Sequence, residues 1–554
     1  MFDKILIANR GEIAVRIIRA CREMGIKTVA VFSEPDREAL HTQLADEAVC
    51  IGSAKAADSY INMPNIITAA VETKAQAIHP GFGFLSENST FAAMCEECNI
   101  KFIGPAPSVI DALGNKSNAR EMMIRAGVPV IPGSDGVVAD REQAHEVAGK
   151  LGYPVMVKAS AGGGGKGIRI VRTEDELDQA FEAAQSETKA AFGDDQMYME
   201  KVIEHARHIE VQVLGDKYGN VVHLFDRDCS VQRRHQKVIE FAPAFTVSQP
   251  VREKILADAV RLSKHVGYKN AGTLEFLVDA DENYYFIEMN PRIQVEHTVS
   301  EEVTGIDIVQ AQILIEEGYP LGAPEIGISS QEDVHCNGYS VQLRITTEDP
   351  ANNFMPDTGK INVYRSPAGN GIRLDGGTAH TGAEVTPYYD SLLVKIIAHD
   401  RTFKGVTNKA IRAIKETRIR GVKTNIPFLI NVLQSETWSE GKCTTTFIER
   451  TPELFRFVPG KDRASKIAEF IGNQIVNESK GQKPQFDPIV VPSFGKTENG
   501  KTIEVPGARD TFLKMGAKAY TQSLLKEKRL LVTDTSMRDA HQSLMATRLR
   551  TNDL

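Results

Sequence analysis

The chain has 554 residues, a formal net charge of -8, and 42% hydrophobic and 25% charged residues. That length exceeds one hydrophobic core, since cores stop growing at roughly 250–300 residues, so several domains are expected. The acidic balance and dispersed Lys and Arg exclude a broad nucleic-acid footprint, and no signal peptide or membrane span is read where Met1 leads into KILIAN.

The strand KILIA passes through Asn9, Arg10 and Gly11 into a helix marked by Ile13, Ile17, Cys21 and Met24. Strands TVAVFS (28–33), QAIH (76–79) and KFIGP (101–105) alternate with helical stretches, which predicts a parallel sheet with helices on its faces. The dinucleotide fingerprint GxGxxG is missing. Cys95 and Cys98 form an isolated CxxC, read as ordinary thiols, and the odd, scattered set of seven cysteines suits a reducing cytoplasm.

Residues 116 to 205 read as a small α/β lid, with a glycine-dense loop between strands and an acidic helix from Thr173 to Ala191. In AGGGGKG (161–167) the backbone can approach an anion closely, so N–H groups around Gly163, Gly164 and Gly165 can cradle a phosphate. Lys166 adds charge there, and Lys158 enters from the preceding strand.

The strand-rich stretch 206–300 is the expected catalytic floor. In the hairpin GTLEFLVDADENYYFIEMNPRIQVEH a turn centred on Asp281 and Glu282 places Glu275 opposite Glu288. Facing Cβ atoms lie about 4.5–5.5 Å apart, where like charges weaken a sheet. A divalent cation such as Mg²⁺, which takes a few carboxylates supplemented by waters and phosphate oxygens, turns that defect into a site. Continuing the strand at period two puts Asn290, Arg292, Gln294 and Glu296 on one face and Ile287, Met289, Ile293 and Val295 on the other. Lys116, Glu200, His208, Gln232, His235 and Lys237 are further candidates, each more often a surface residue when taken alone. Cys229 is read as structural, because a thiol nucleophile needs an activating base.

An α+β lobe is expected over about 335–450 and a linker over about 472–510, followed by a helix, the strand RLLVTDTSMRD and the start of another helix.

YPVMVKASAGGGGKG and FIEMNPRI resemble signature segments shared by two groups of ATP-grasp enzymes, the biotin carboxylases and the carbamoyl-phosphate synthetases. HPGFGFLSEN, RDCSVQRRHQK and RIQVEH resemble the biotin-dependent branch, and ITTEDP, PDTGKI and RIRGVKTNIPFL its pyruvate carboxylase members. The resemblance implies a mixed α/β and α+β multidomain fold: an N-terminal parallel α/β domain (1–115), an ATP-grasp domain (116–330) with a glycine-rich lid at about 131–205, and a C-terminal α+β lobe (331–455). Residues 456–525 would be linker and part of a tetramerisation or allosteric region, and 526–554 the start of a carboxyltransferase barrel with Asp539 as a metal ligand. Because that barrel cannot close on these residues, the chain is expected to continue past Leu554.

The resemblance further implies a ligase that carboxylates biotin with ATP, Mg²⁺ (or Mn²⁺) and bicarbonate through carboxyphosphate, feeding pyruvate to oxaloacetate conversion in the full-length enzyme. Lys116 and Lys158 would meet ATP phosphates under the glycine loop. Glu200 with the backbone at Lys201 and Ile203 would read adenine, and His208, Gln232 and His235 would line the nucleotide pocket. Glu275, Glu288 and Asn290 would hold the metal. Arg292, Gln294 and the Val295 backbone would hold bicarbonate, Glu296 would deprotonate it, Lys237 would face the same anions, and Arg344 would stabilise the biotin enolate. Phe82 stands where the family usually has Tyr. The expected partners are a biotin carboxyl carrier domain, a second copy in a homodimer, a homotetramer at full length and acetyl-CoA as activator; the biotin carboxylase of another biotin-dependent carboxylase, a carbamoyl-phosphate synthetase half and an ATP-binding scaffold are the alternatives.

Overall fold

The computed structural model describes residues 1–114, 116–134, 136–159, 168–192, 196–457, 463–477, 496–498, 501–503 and 507–535. The phosphate-loop reading at Gly163, Gly164, Gly165 and Lys166 and the metal reading at Asp539 lie outside them. The chain divides into two compact units, Met1–Val458 and Pro459–Leu554.

The first unit opens with β1 (Lys4–Ile7), α1 (Gly11–Glu23), β2 (Lys27–Ser33), β3 (Glu47–Gly52), β4 (Ala77–His79) and β5 (Lys101–Phe102). The strands form a parallel sheet in the order β3-β2-β1-β4-β5. Ile5, Leu6 and Ile7 are all buried because both faces are covered, as parallel sheets require. Ile13, Ile17 and Cys21 of α1 pack on one side; Tyr60, Phe91 and Phe102 pack on the other. The unanticipated β3 is a largely exposed edge, which explains its weak apolar pattern.

Next, β6 (Val155–Ala159), β7 (Ile168–Val171) and β8 (Met197–Lys201) form a small antiparallel sheet, with Leu177, Phe181 and Ala184 of the helix Leu177–Phe192 packed on Val155, Val157, Met197 and Met199.

The dominant element is an eight-stranded sheet built from β9 (Arg207–Gly215), β10 (Val221–Arg233), β11 (Gln236–Ala242), β12 (Asn270–Val278), β13 (Tyr284–Asn290), β14 (Tyr339–Thr346) and the strands Ile372–Gly376 and Leu392–Asp400. Its order is β13-β12-β9-β10-β11-β14, then Leu392–Asp400 and Ile372–Gly376, with antiparallel neighbours throughout. One face is apolar. There Ile209, Val211, Leu274 and Phe276 meet Ile255, Ala259 and Leu262 of the helix Gln249–His265, and Phe241, Leu343 and Ile396 meet Phe428 and Trp438. The opposite face carries His208, Glu210, Gln212, Arg227, Glu240, Gln342 and Lys395, all buried. Burying this many polar groups is unfavourable unless they satisfy one another.

The second unit contains the helix Arg463–Val476, the hairpin of Lys496–Glu498 with Lys501–Ile503, and the helices Ala508–Met515 and Ala517–Lys526. The expected strand RLLVTDTSMRD is not one in its described part. Residues 529–535 carry no strand, and Leu530, Leu531 and Val532 are exposed; a strand needs a neighbour, and among the described residues none pairs with this stretch. No described helix is long and apolar enough to cross a membrane.

Candidate active site

Three glutamates and an arginine stand in one row across four strands. Glu288 of β13 faces Glu275 of β12, Glu275 faces Glu210 of β9, and Glu210 faces Arg227 of β10. The expected pairing of Glu275 with Glu288 is present, but the register nearer the tip is offset by one residue. Nearer the tip the partners are Phe276 with Phe286 and Leu277 with Tyr285, and a β-bulge between Glu275 and Phe276 restores the register.

Lys237 of β11 lies over this row. Its Nζ donates to Glu210, to Glu275 Oε1 at 3.0 Å and to Glu296 Oε1 at 2.7 Å. Burial disfavours the ammonium, but the surrounding carboxylates win and hold its pKa well above the ordinary value. Burial likewise penalises the charge on Glu275 and Glu296; Lys237 with His208 for the first, and Lys237 with Arg344 and Arg227 for the second, hold both well below the usual carboxylate range. Arg227 is wholly buried and bonds Glu210 Oε2 at 3.0 and 3.1 Å, Gln212 at 2.8 Å, Thr273 at 3.0 Å and Gln294 at 2.7 Å. His208 Nε2 lies 2.8 Å from Glu275 Oε2, and its Nδ1 meets Gln232 at 3.1 Å. Burial opposes charging that imidazole, yet Glu275 carries its pKa upward.

The strand does not continue to Glu296 as expected. β13 ends at Asn290, because Pro291 has no N–H for the ladder, and 291–296 is a bend and turn leading into the helix His297–Thr304. The period-two faces therefore do not hold past Asn290. Several of the polar residues converge all the same. Asn290 and Gln294 donate to Glu275 Oε1 at 2.9 and 2.8 Å, and Arg344 of β14 reaches Glu296 Oε2 at 3.0 Å while bonding Glu240. Arg292 donates to Asn290 Oδ1 at 3.1 Å and pairs with Glu87 at 2.9 Å. Glu87 lies in the motif HPGFGFLSEN, whose backbone is held by Asn9 Nδ2 on the carbonyls of Pro80 (2.7 Å) and Phe82 (2.8 Å).

Glu288 is half-buried and, among the described residues, has no ion-pair partner; its one polar contact is Asn290 Nδ2 at 3.5 Å. A buried or half-buried carboxylate facing another is a hard oxygen donor set, and it fits a divalent cation. Asn290 turns its amide nitrogen toward both acids, so it could offer its oxygen to a cation only after an amide flip that releases Arg292. Another group of ligand atoms lies beside it, one each from His208, Glu210 and Glu275, within 4.8 Å of one another.

Of the remaining candidates, Lys158 on β6 pairs with Glu200 on β8. The backbone N–H of Lys201 is committed to Pro132 O at 2.8 Å, its side chain bonds the carbonyls of Gly152 and Tyr153, and Ile203 follows in a loop. Lys116 opens the helix Lys116–Arg125. His235 is exposed at the tip of the β10–β11 hairpin, where it and Arg234 have φ of 63° and 49°. Cys229 is fully buried, and burial pushes its thiol well above the ordinary value, which leaves it no nucleophilic role.

Glu210, Arg227 and Glu240 were missed from sequence. A signal existed in RHIEVQVLG, where His208, Glu210 and Gln212 alternate with Ile209, Val211 and Val213, but only pairing with distant strands shows that the polar side faces inward.

Family models described as "Biotin carboxylase, N-terminal domain", "Carbamoyl-phosphate synthase L chain, ATP binding domain" and "Biotin carboxylase C-terminal domain" match residues 1–110, 115–323 and 342–450. The chain is 52% identical over 557 residues to the pyruvate carboxylase of Bacillus subtilis, covering 100% of this chain and 48% of that protein. It thus spans about half the length of the curated relatives it matches. The biotin carboxylase domain dimer of Hydrogenobacter thermophilus 2-oxoglutarate carboxylase, solved with MgADP, ADP and bicarbonate, is 49% identical with a TM-score of 0.77, over 83% of this chain and 99% of that one. Rhizobium etli pyruvate carboxylase, solved with the allosteric activator acetyl coenzyme A, is 45% identical with a TM-score of 0.80, over 99% of this chain and 49% of that one.

Proposed function

Since the chain belongs to the biotin carboxylase family, with its ATP-grasp fold, we propose that it catalyses the MgATP-dependent carboxylation of biotin by bicarbonate. The observation that carries the reading is the position of Lys237, bonded at once to the acids of the β12 edge and to Glu296. A cation there joins the phosphate end of a reaction to its bicarbonate end.

Glu275 and Glu288, with Asn290 after its flip, hold Mg²⁺, which supplies charge neutralisation for the phosphates. Lys116, Lys158 and the glycine loop meet those phosphates, Glu200 with the backbone at Lys201 and Ile203 receives the adenine, and His208, Gln232 and His235 flank the nucleotide. Arg292, Gln294 and the Val295 backbone orient bicarbonate, and Glu296 takes the proton. Bicarbonate oxygen then attacks the γ-phosphorus of ATP as the bond from that phosphorus to the bridging oxygen breaks and ADP leaves; the resulting carboxyphosphate breaks to CO₂ and phosphate, and the phosphate removes the proton from the biotin nitrogen that takes up CO₂. Cations near 4 Å contribute roughly 4 kcal/mol each at an effective dielectric of about 20, so Lys237, Arg292 and Arg344 are the residues that make assembly of these anions feasible. Arg344 stabilises the biotin enolate.

In the full-length protein the reaction feeds conversion of pyruvate to oxaloacetate. Biotin arrives on a carrier domain, two copies pair through this region, the whole assembles as a tetramer, and acetyl-CoA activates. The protein works in the cytoplasm, where seven free cysteines remain reduced.

The test is ATP turnover with bicarbonate, with free biotin or ammonia added. Biotin should raise turnover and ammonia should not; stimulation by ammonia alone would point to a carbamoyl-phosphate synthetase. Glu296→Ala should bind MgATP by titration yet lose bicarbonate-dependent hydrolysis, and retention of that hydrolysis would remove Glu296 as the base.

A further inference from the structure

The large sheet also contains a facing pair of cations. Arg344 of β14 stands directly opposite Lys395 on the strand Leu392–Asp400. Such a pair weakens a sheet unless each member has its own counter-charge. Arg344 has Glu240 and Glu296. Lys395, with no exposed surface, pairs with Glu12 of α1 at 2.9 Å and lies 3.6 Å from Asp375 on the strand Ile372–Gly376. Its Nζ also donates to the carbonyl of Val295 at 3.1 Å. Val295 and Glu296 are therefore gripped from two adjacent strands, one by its carbonyl and the other by its carboxylate.

The anchor behind Lys395 is itself braced. Arg373 bonds Asp375 at 2.9 and 3.0 Å and pairs with Glu301 at 2.8 Å, and Glu301 pairs with Arg16 of α1 at 2.9 Å. His297, at the start of the following helix, lies 3.8 Å from Glu301 and is kept neutral by burial. Among the described residues Lys395 is the one ion-pair partner of Glu12, whose buried carboxyl is pushed up to about 7 by burial, against the pull of Lys395. The segment 291–296, by contrast, has no strand to fix it after Pro291.

We propose that Lys395 is a positioning residue for the carboxylation site: by holding the Val295 carbonyl it sets the turn that presents Gln294 and Glu296 to bicarbonate. The inference rests on the proposed function. It makes α1 and the C-terminal lobe joint supports of a turn that neither of them contains.

The full chain is compared with a Glu12→Gln, Lys395→Met double variant, in which both charges of the buried pair go together and Asp375 keeps Arg373. MgATP affinity by titration should stay within about twofold, while kcat/KM for bicarbonate in ATP hydrolysis falls about tenfold or more, the size of one hydrogen bond from a charged donor, with the change largely in KM. An unchanged bicarbonate kcat/KM in the folded double variant overturns the proposal. Should that variant not fold, Lys395→Arg keeps charge and donor but lengthens the reach, and should raise the bicarbonate KM about threefold or more at unchanged MgATP affinity; no change there overturns it equally. Absence of bicarbonate-dependent hydrolysis in the unaltered chain would sink the functional reading itself, whereas an active chain with a silent Lys395 series sinks the tether alone.

Discussion

Glu288 is the acid of the site that lacks a cation. Its partner across the ladder, Glu275, is surrounded by Lys237, His208, Asn290 and Gln294, so removing charge at 288 disturbs no ion pair among the described residues. Glu288→Gln should therefore fold normally and lose ATP turnover by about 100-fold or more at ordinary Mg²⁺, as expected when a metal ligand is removed; turnover near that of the parent chain would eliminate the metal site. The facing pair was legible in the sequence because a hairpin is local, although the register toward the turn was one residue out and the bulge compensated. Glu210, Arg227 and Lys395 were not legible. Glu210 and Arg227 face each other across the consecutive strands β9 and β10, but the elements that bury them, such as β12 beside β9, and the partners of Lys395, Val295 and Glu12, lie far away in the chain, and no local periodicity reports a non-local register.

Two elements meet closely where the strand Ile372–Gly376 runs into α1. A Cβ added to Gly377 would lie 2.3 Å from the backbone carbon of Gly11 and 2.4 Å from the Glu12 nitrogen. Both are backbone atoms of a helix start, so relief requires moving the helix. Gly377→Ala should cost about 1–3 kcal/mol of stability, the usual range for overpacking, measured as a lower denaturant midpoint; an unchanged midpoint would mean that α1 is free to shift. The parallel N-terminal sheet was readable from apolar runs with helical stretches between them. The strand expected through Glu296 was not one, because the alternation of polar and apolar residues outlasted the hydrogen-bond ladder that Pro291 ends.

Across the whole first unit, buried imidazoles set an acid limit. His79 is fully buried, and burial pushes its pKa down to about 3. Between the unfolded value near 6.5 and about 3 the unfolded chain binds the extra proton, so this group costs stability as pH falls through that window. Glu12, raised to about 7, acts with the opposite sign, being protonated in the folded chain while still ionised in the unfolded one. The net slope is therefore best isolated by difference. Unfolding of His79→Asn, followed by the fluorescence of the single Trp438, should lose stability less steeply from pH 6.5 to 5 than the parent chain, by up to about 1.4 kcal/mol per pH unit; parallel slopes would show that the ring is not excluded from protons.

The eight-stranded sheet has a geometric consequence. Its acidic pair sits on β12 and β13 and its cationic pair on β14 and Leu392–Asp400, with β9, β10 and β11 between them. Each step between strands is about 4.8 Å, set by backbone hydrogen bonds and indifferent to side-chain identity. The stations of the chemistry therefore stand on a ruler whose divisions substitution cannot rescale. Changing a side chain alters what happens at a mark, and moving the mark would require another strand.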